Sequence, residues 1–203
     1  FGNDSGINAS DIKEFKSHIN FNLSFGDVSL NINLSMIGLH QVDNALAAAA
    51  CAIELGIAPD LIKKGLENAL PEKGRLELIE LEDFRILDDS YNANPQSMKA
   101  AIDTLSNFSG EKILVLGSMG ELGIDSKKMH QEIGEYARQS NANHLLTIGE
   151  DAKEYQGRPF KDITSIFDEI QNKHKGSTIL IKGSRMMRLN ELVDILVNTS
   201  NSS

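Results

Sequence analysis

From Phe84 to Val197 short apolar runs alternate with segments of helical periodicity, and few folds accommodate that pattern. Strands are predicted over Phe84–Asp88, Lys112–Leu116, His144–Ile148 and Thr178–Ile181, with a weaker one over Arg158–Lys161. Helices are predicted over Gln96–Leu105, Ser126–Ser140, Asp151–Tyr155, Ile163–Asn172 and Leu189–Val197. Short apolar strands separated by helices require a parallel sheet covered on both faces. The right-handed crossover rule then gives an α/β, Rossmann-like doubly wound domain. The polar tail from Asn198 to Ser203 is expected to fray.

Upstream the pattern differs. Phe1 to Asp11 is polar and carries no periodicity that predicts an element. His18–Ser24 and Val28–Leu34 alternate apolar and polar residues around a Phe25-Gly-Asp27 turn, which predicts a hairpin with Ile19, Phe21 and Leu23 on the buried face beside Val28, Leu30, Ile32 and Leu34. An Ala-rich helix over Val42–Leu55 ends at Gly56, and Pro59 opens a second over Asp60–Ala69. Cys51 falls in the Ala-rich run and is expected to be a small buried residue. As the only cysteine it rules out an internal disulfide framework.

The loop after the Phe84–Asp88 strand concentrates short polar side chains: Asp88-Asp89-Ser90-Tyr91-Asn92-Ala93-Asn94-Pro95. With Asn94 as N-cap, Pro95 takes the first helical position, where its missing N–H costs nothing. Ligands in open α/β sheets bind beyond the carboxyl ends of strands, so these carboxylates and amides are placed to hold a polar small molecule, or else they satisfy a tight turn. Thr178–Ile181 delivers Lys182-Gly-Ser-Arg185 to the same edge, where a cation, a hydroxyl and accessible backbone N–H groups suit an anion. The run Gly117-Ser-Met-Gly120-Glu-Leu-Gly123 also follows a strand, but its spacing is not that of a dinucleotide loop. His130, within a helix, reads as structural. Upstream, His40 and Gln41 either cap the Ala-rich helix or share a face with Asn44 one turn on. Arg75, in Lys73-Gly-Arg75-Leu-Glu77, has a planar fork suited to phosphoryl oxygens.

A formal charge of −9 over 203 residues argues against a nucleic-acid binder, because affinity for the phosphate backbone needs clustered Lys and Arg. No apolar run is long enough to span a bilayer and no signal peptide is visible, so a cytoplasmic chain without membrane contact is expected. The opening at Phe1, without an initiator Met, is expected to mark a fragment.

Five stretches, in order, resemble the Mur ligases, the ATP-dependent amide-bond-forming enzymes of peptidoglycan synthesis. They are Gly38-Leu-His-Gln-Val-Asp-Asn44, Lys73-Gly-Arg75-Leu-Glu77, Asp88 to Pro95, Leu116 to Gly123 and Lys182-Gly-Ser-Arg185. The Tyr91-Asn-Ala-Asn-Pro95 spelling is most similar to members that add D-alanyl-D-alanine to UDP-N-acetylmuramoyl-tripeptide. Two features depart from the family's pattern: Gln41 stands where Asn is usual, and Ser118 where an acid is expected.

The resemblance implies the end of a central ATP-binding domain over residues 1–81, then the family's C-terminal Rossmann-like domain over 82–203. It implies an acyl phosphate made from ATP with Mg2+ and attacked by an incoming amine, in a monomer. For the nucleotide it implies that Asn44, with His40 and Gln41, lies at the adenine, Arg75 at the phosphates and Asp89 at the ribose hydroxyls. It implies that Tyr91, Asn92, Asn94, Lys182, Ser184 and Arg185 line the dipeptide side. It assigns no catalytic base and no metal ligand, since the family's phosphate loop and Mg2+ ligands precede the matching region. No G-x-x-x-x-G-K-[ST] occurs in the chain, so residues 1–203 alone are expected to be inactive. The alternatives are a sibling ligase, adding glutamate to folate or diaminopimelate to a muramoyl peptide, and a non-catalytic module that binds a nucleotide or a protein.

Overall fold

The computed structural model describes residues 6–200, and the chain divides into two compact units between Pro71 and Glu72. The expected junction near Leu81 falls later, because the strand over Glu77–Glu80 pairs with Arg85–Asp89 of the second unit and so folds with it.

In the first unit β1 (Ile7–Glu14), β2 (Ile19–Phe25) and β3 (Val28–Leu34) form an antiparallel sheet, followed by α1 (His40–Glu54) and α2 (Pro59–Glu67). The hairpin register is the expected one, with Ile19 opposite Leu34 and Phe21 opposite Ile32. These side chains bury against Val42, Ala45, Leu46 and Ala49 of α1 and Ile62 and Leu66 of α2. Val28 and Leu30 are only half-buried. On the outer face Asn31 exchanges amide hydrogen bonds of 3.0 and 3.1 Å with Asn20, which pins the register from the wet side.

Two expectations are corrected here. The segment given no element contains most of β1, which is missed because only Ile7 of it is buried and its ladder breaks between Ser10 and Lys13, where Asp11 takes φ 52°. Cys51 is exposed, since α1 turns the stripe Val42, Ala45, Leu46 and Ala49 inward and Cys51 lies off it.

The second unit holds β4 (Glu77–Glu80), β5 (Arg85–Asp89), α3 (Pro95–Ser106), β6 (Lys112–Gly117), α4 (Ser126–Gln139), β7 (His144–Ile148), β8 (Arg158–Phe160), α5 (Ile163–Lys173), β9 (Thr178–Lys182) and α6 (Asn190–Ser200). The expected helix over Asp151–Tyr155 is a 3₁₀ turn. The sheet order is β4-β5-β9-β6-β7-β8, parallel throughout except for the antiparallel edge strand β4. The fold is thus the expected α/β domain, and both sheet faces are covered. Ile86, Ile113, Val115, Ile179 and Ile181 pack with Ile166 and Ile170 of α5 and Leu192, Val193 and Leu196 of α6. The alternate residues Leu87, Leu114, Leu116 and Leu180 are also fully buried, on the face where α3 meets β6 and β9. Burial of these aliphatic side chains, about 1.5–3 kcal/mol each, is the main stabilising term.

The last strand to form in sequence, β9, inserts between β5 and β6. Register pairs Asp89 with Lys182 and Lys182 with Leu116, so three strand ends and their loops meet at one carboxyl edge. The polar tail is partly ordered, as α6 runs to Ser200; Asn201 to Ser203 lie outside the described residues.

Candidate functional site

The floor of this edge is built from charged groups that satisfy one another. Lys182 is 2% exposed, and its ammonium donates to Asp89 Oδ2 at 2.6 Å and to the Asn92 carbonyl at 2.9 Å. Asp89 Oδ1 accepts from the Leu76 N–H at 3.1 Å. That bond holds Leu76 in the left-handed region at φ 55°, a conformation that costs a non-glycine residue about 1 kcal/mol or more. Gly74, at φ +76°, passes so close that its carbonyl accepts from the Tyr91 N–H at 3.0 Å, and a Cβ there would lie 3.2 Å from that nitrogen. The Gly-Arg-Leu stretch is therefore laced directly onto the loop after β5. Asp88 is fully buried, with Oδ1 accepting from the Ser90 N–H at 3.0 Å while Oδ2 has no hydrogen-bond partner. Burial raises its pKa above the ordinary carboxylate value, against the opposing influence of Ser90.

Above this floor lies an open cleft of about 370 Å³ lined by Tyr91, Asn92, Asn94, Ser184 and Arg185, together with Gly120, Glu121 and Met186. Tyr91 is 41% exposed and lies against two guanidinium groups, with Arg75 4.3 Å and Arg185 5.2 Å from its ring centre. Glu72 lies 3.3 Å from Arg75 Nε, which engages one edge of a five-donor fork. Asn94 caps α3 as expected: its Oδ1 accepts from the Ser97 N–H at 2.9 Å, and the Ser97 Oγ accepts from the Asn94 N–H at 3.1 Å. The positive end of that helix dipole thus opens at the cleft. Two guanidinium groups and a helix N-terminus on a chain of formal charge −9 make this a local anion-attracting surface.

The loop after β6 forms the opposite wall. Ser118, standing where an acid was expected, is buried; its Oγ accepts from the Ala152 N–H and its carbonyl from the Ser184 N–H, both at 3.0 Å. It ties together the loops after β6, β7 and β9. Gly149 must be glycine for this, since a Cβ there would lie 2.4 Å from Ser118 Oγ. His130 is fully buried: its Nε2 accepts from the Met119 N–H at 2.9 Å, so Nδ1 carries the proton and faces the Ser126 carbonyl at 2.7 Å. It is structural, as read from the sequence.

The sequence-predicted residues fall into three groups. Tyr91, Asn92, Asn94, Ser184 and Arg185 line the cleft, and Arg75 reaches it through Tyr91. Asp89 and Lys182 pair beneath it. His40, Gln41 and Asn44 belong to the first unit, where Leu39 occupies the N-cap of α1 without a side-chain cap and the Asn44 amide donates to Gln41 Oε1 at 2.9 Å. Gly120, Glu121 and Met186 were missed as lining residues. Their position at the carboxyl ends of β6 and β9 was the available signal, and Glu121, at φ 59°, marks the turn there.

The model of the Mur ligase glutamate ligase domain matches residues 74–185. The chain is 35% identical over 201 residues to UDP-N-acetylmuramoyl-tripeptide–D-alanyl-D-alanine ligase from Escherichia coli K12, covering 95% of this chain and 44% of that protein. The ligase of the same name from Bacillus subtilis 168 is 35% identical over 181 residues, covering 82% of this chain and 40% of its own length. A crystal structure of MurF from Acinetobacter baumannii superposes with a TM-score of 0.90 at 32% identity, covering 98% of this chain and 46% of that one. The chain spans less than half the length of these relatives. A family model matching more than half of the sequence, on a sheet whose carboxyl edge carries the matched loops, shows that this chain belongs to the Mur ligase family through its glutamate ligase domain.

Proposed function

We propose that the chain supplies the amine-substrate side of an ATP-dependent ligase that adds D-alanyl-D-alanine to UDP-N-acetylmuramoyl-tripeptide. The observation that carries the reading is the cleft, with Ser184 and Arg185 beside Tyr91 at the N-terminus of α3. A dipeptide of this kind has a carboxylate at one end and an amine at the other. Arg185 can fork onto the carboxylate with Ser184 donating a further hydrogen bond, and Glu121, on the same cleft, offers an acid to the ammonium form. Fixing the carboxylate orients the amine for attack, which is where the rate advantage of such a site lies.

ATP, when bound with Mg2+, supplies the phosphoryl group that activates the acceptor's carboxylate. Arg75 suits phosphoryl oxygens and Asp89 the ribose hydroxyls. Asp89 remains able to accept, because a carboxylate has about four lone-pair positions and Leu76 and Lys182 occupy two. Lys182 acts by holding Asp89 in place. His40, Gln41 and Asn44 are assigned to the adenine, and the working unit is a monomer. The residues of this chain bind and orient, and none is assigned as a general base.

The test is phosphate release from ATP by the chain extended upstream to the length of its relatives. Turnover that requires UDP-N-acetylmuramoyl-tripeptide and D-alanyl-D-alanine together supports the proposal. Turnover with glutamate and a folate, or with diaminopimelate and a shorter muramoyl peptide, in place of this pair would make it a sibling ligase. No turnover with any amine would make it a binding module.

A further inference from the structure

At the amino edge of the same sheet, away from the cleft, three side chains from separate segments converge. Glu111 directly precedes β6, His144 opens β7, and His174 closes α5 ahead of β9. Glu111 Oε1 lies 3.0 Å from His144 Nε2 and 3.3 Å from His174 Nδ1, and the three groups' ligand atoms lie within 4.8 Å of one another. The two imidazole rings are 4.6 Å apart, tilted by 56°. One carboxylate oxygen is thus shared by two ring nitrogens. The remaining nitrogen of His174, Nε2, is buried with no hydrogen-bond partner, and Glu169 Oε1 lies 3.8 Å from it. Glu169 is itself held by Arg158 and Lys173.

We propose that Glu111, His144 and His174 form a binding site for a divalent transition-metal ion, of which Zn2+ is the best fit. Two imidazole nitrogens and a carboxylate are the borderline donor set that Zn2+ prefers, and hard cations such as Mg2+ or Ca2+ want oxygen alone. Tetrahedral bonds of about 2.0–2.1 Å put neighbouring ligand atoms about 3.3 Å apart, close to the two spacings measured from Glu111. Coordination through Nδ1 places the His174 proton on Nε2, toward Glu169. A ligating histidine ordinarily gives its second N–H to a carboxylate, and Glu169 Oε1, 3.8 Å away, is the carboxylate placed to accept it once it moves within hydrogen-bond reach. His144 and Glu111 are 44% and 35% exposed, which gives the ion access and leaves room for water in the remaining position. The ion would clip the starts of β6 and β7 to the α5–β9 connection.

The test is calorimetric titration of the full 203-residue chain with Zn2+, with Co2+ as a visible-absorption reporter of tetrahedral N/O ligation. The expected result is a saturable site for one ion per chain and a Tm raised by about 3 °C or more in excess Zn2+. His144→Ala and Glu111→Gln, both on partly exposed groups and checked for folding by circular dichroism, each weaken binding by about tenfold or more and remove the Co2+ band. His18→Ala, far along the chain, changes neither. Absence of a saturable site, or unchanged affinity in either His144→Ala or Glu111→Gln, overturns the proposal.

Discussion

The carboxyl edge of the second unit has a floor and a rim made of the same residue types, and they spend their polar groups differently. On the floor, Asp89, Lys182, Leu76 and Asn92 bond to one another over distances of 2.6 to 3.1 Å, at a lysine that is 2% exposed. On the rim, Tyr91 is 41% exposed between two guanidinium groups, and Arg185 and Ser184 border open space. A buried, mutually bonded pair holds geometry; exposed donors around a cleft can meet a ligand. Residue type alone does not separate the two, because burial decides which role a lysine or an arginine plays.

The comparison breaks first if the floor is not structural. Lys182→Met keeps the aliphatic stem and strands the Asp89 carboxylate, so a loss of about 3 kcal/mol of stability is expected. Chemical denaturation read by circular dichroism checks it, and a midpoint within error of the parent's would move Lys182 from floor to rim.

Asp88 gives a smaller effect with a defined sign. Its pKa is raised chiefly by burial, so the native state holds the proton more tightly than the unfolded chain does. The corresponding stability is fully present below the unfolded value of about 3.9 and is lost as pH rises through the higher folded value. Asp88→Asn removes this titration while keeping an acceptor for the Ser90 N–H. The stability of the parent relative to the variant should therefore fall as pH increases from about 4, and a difference that stays flat across that range would show that Asp88 is not desolvated.

The smallest stability effect is expected on the rim. Tyr91→Leu removes two exposed cation–π contacts, for a change of about 1 kcal/mol or less. A loss comparable to that of Lys182→Met would mean that Tyr91 is a packing residue and that the rim is an extension of the floor.

Much of the second unit was legible because buried parallel strands read as continuous apolar runs, and Asn94-Pro95 announces a helix start by a local mechanism. What stayed hidden depends on partners distant in sequence. β1 shows no alternation because its outer face is wet and its ladder is bulged. The allegiance of the strand over Glu77–Glu80 to the second unit appears only from its pairing with β5. The Asp89–Lys182 pair joins residues 93 positions apart, so each looked like a separate ligand contact. Ser118 looked like a lost acid, and its role as the tie between three loops emerges only when β6, β7 and β9 are seen side by side.

The central claim is that the rim, and Arg185 above all, receives the carboxylate of the dipeptide. Arg185→Lys keeps the charge and loses the planar fork, and it sits on an exposed side of the cleft. The deciding measurement is the KM for D-alanyl-D-alanine in the chain extended to the length of its relatives, taken beside the KM for ATP and the Tm. The account predicts a dipeptide KM raised about tenfold, with the ATP KM and the Tm unchanged. An unchanged dipeptide KM would contradict it.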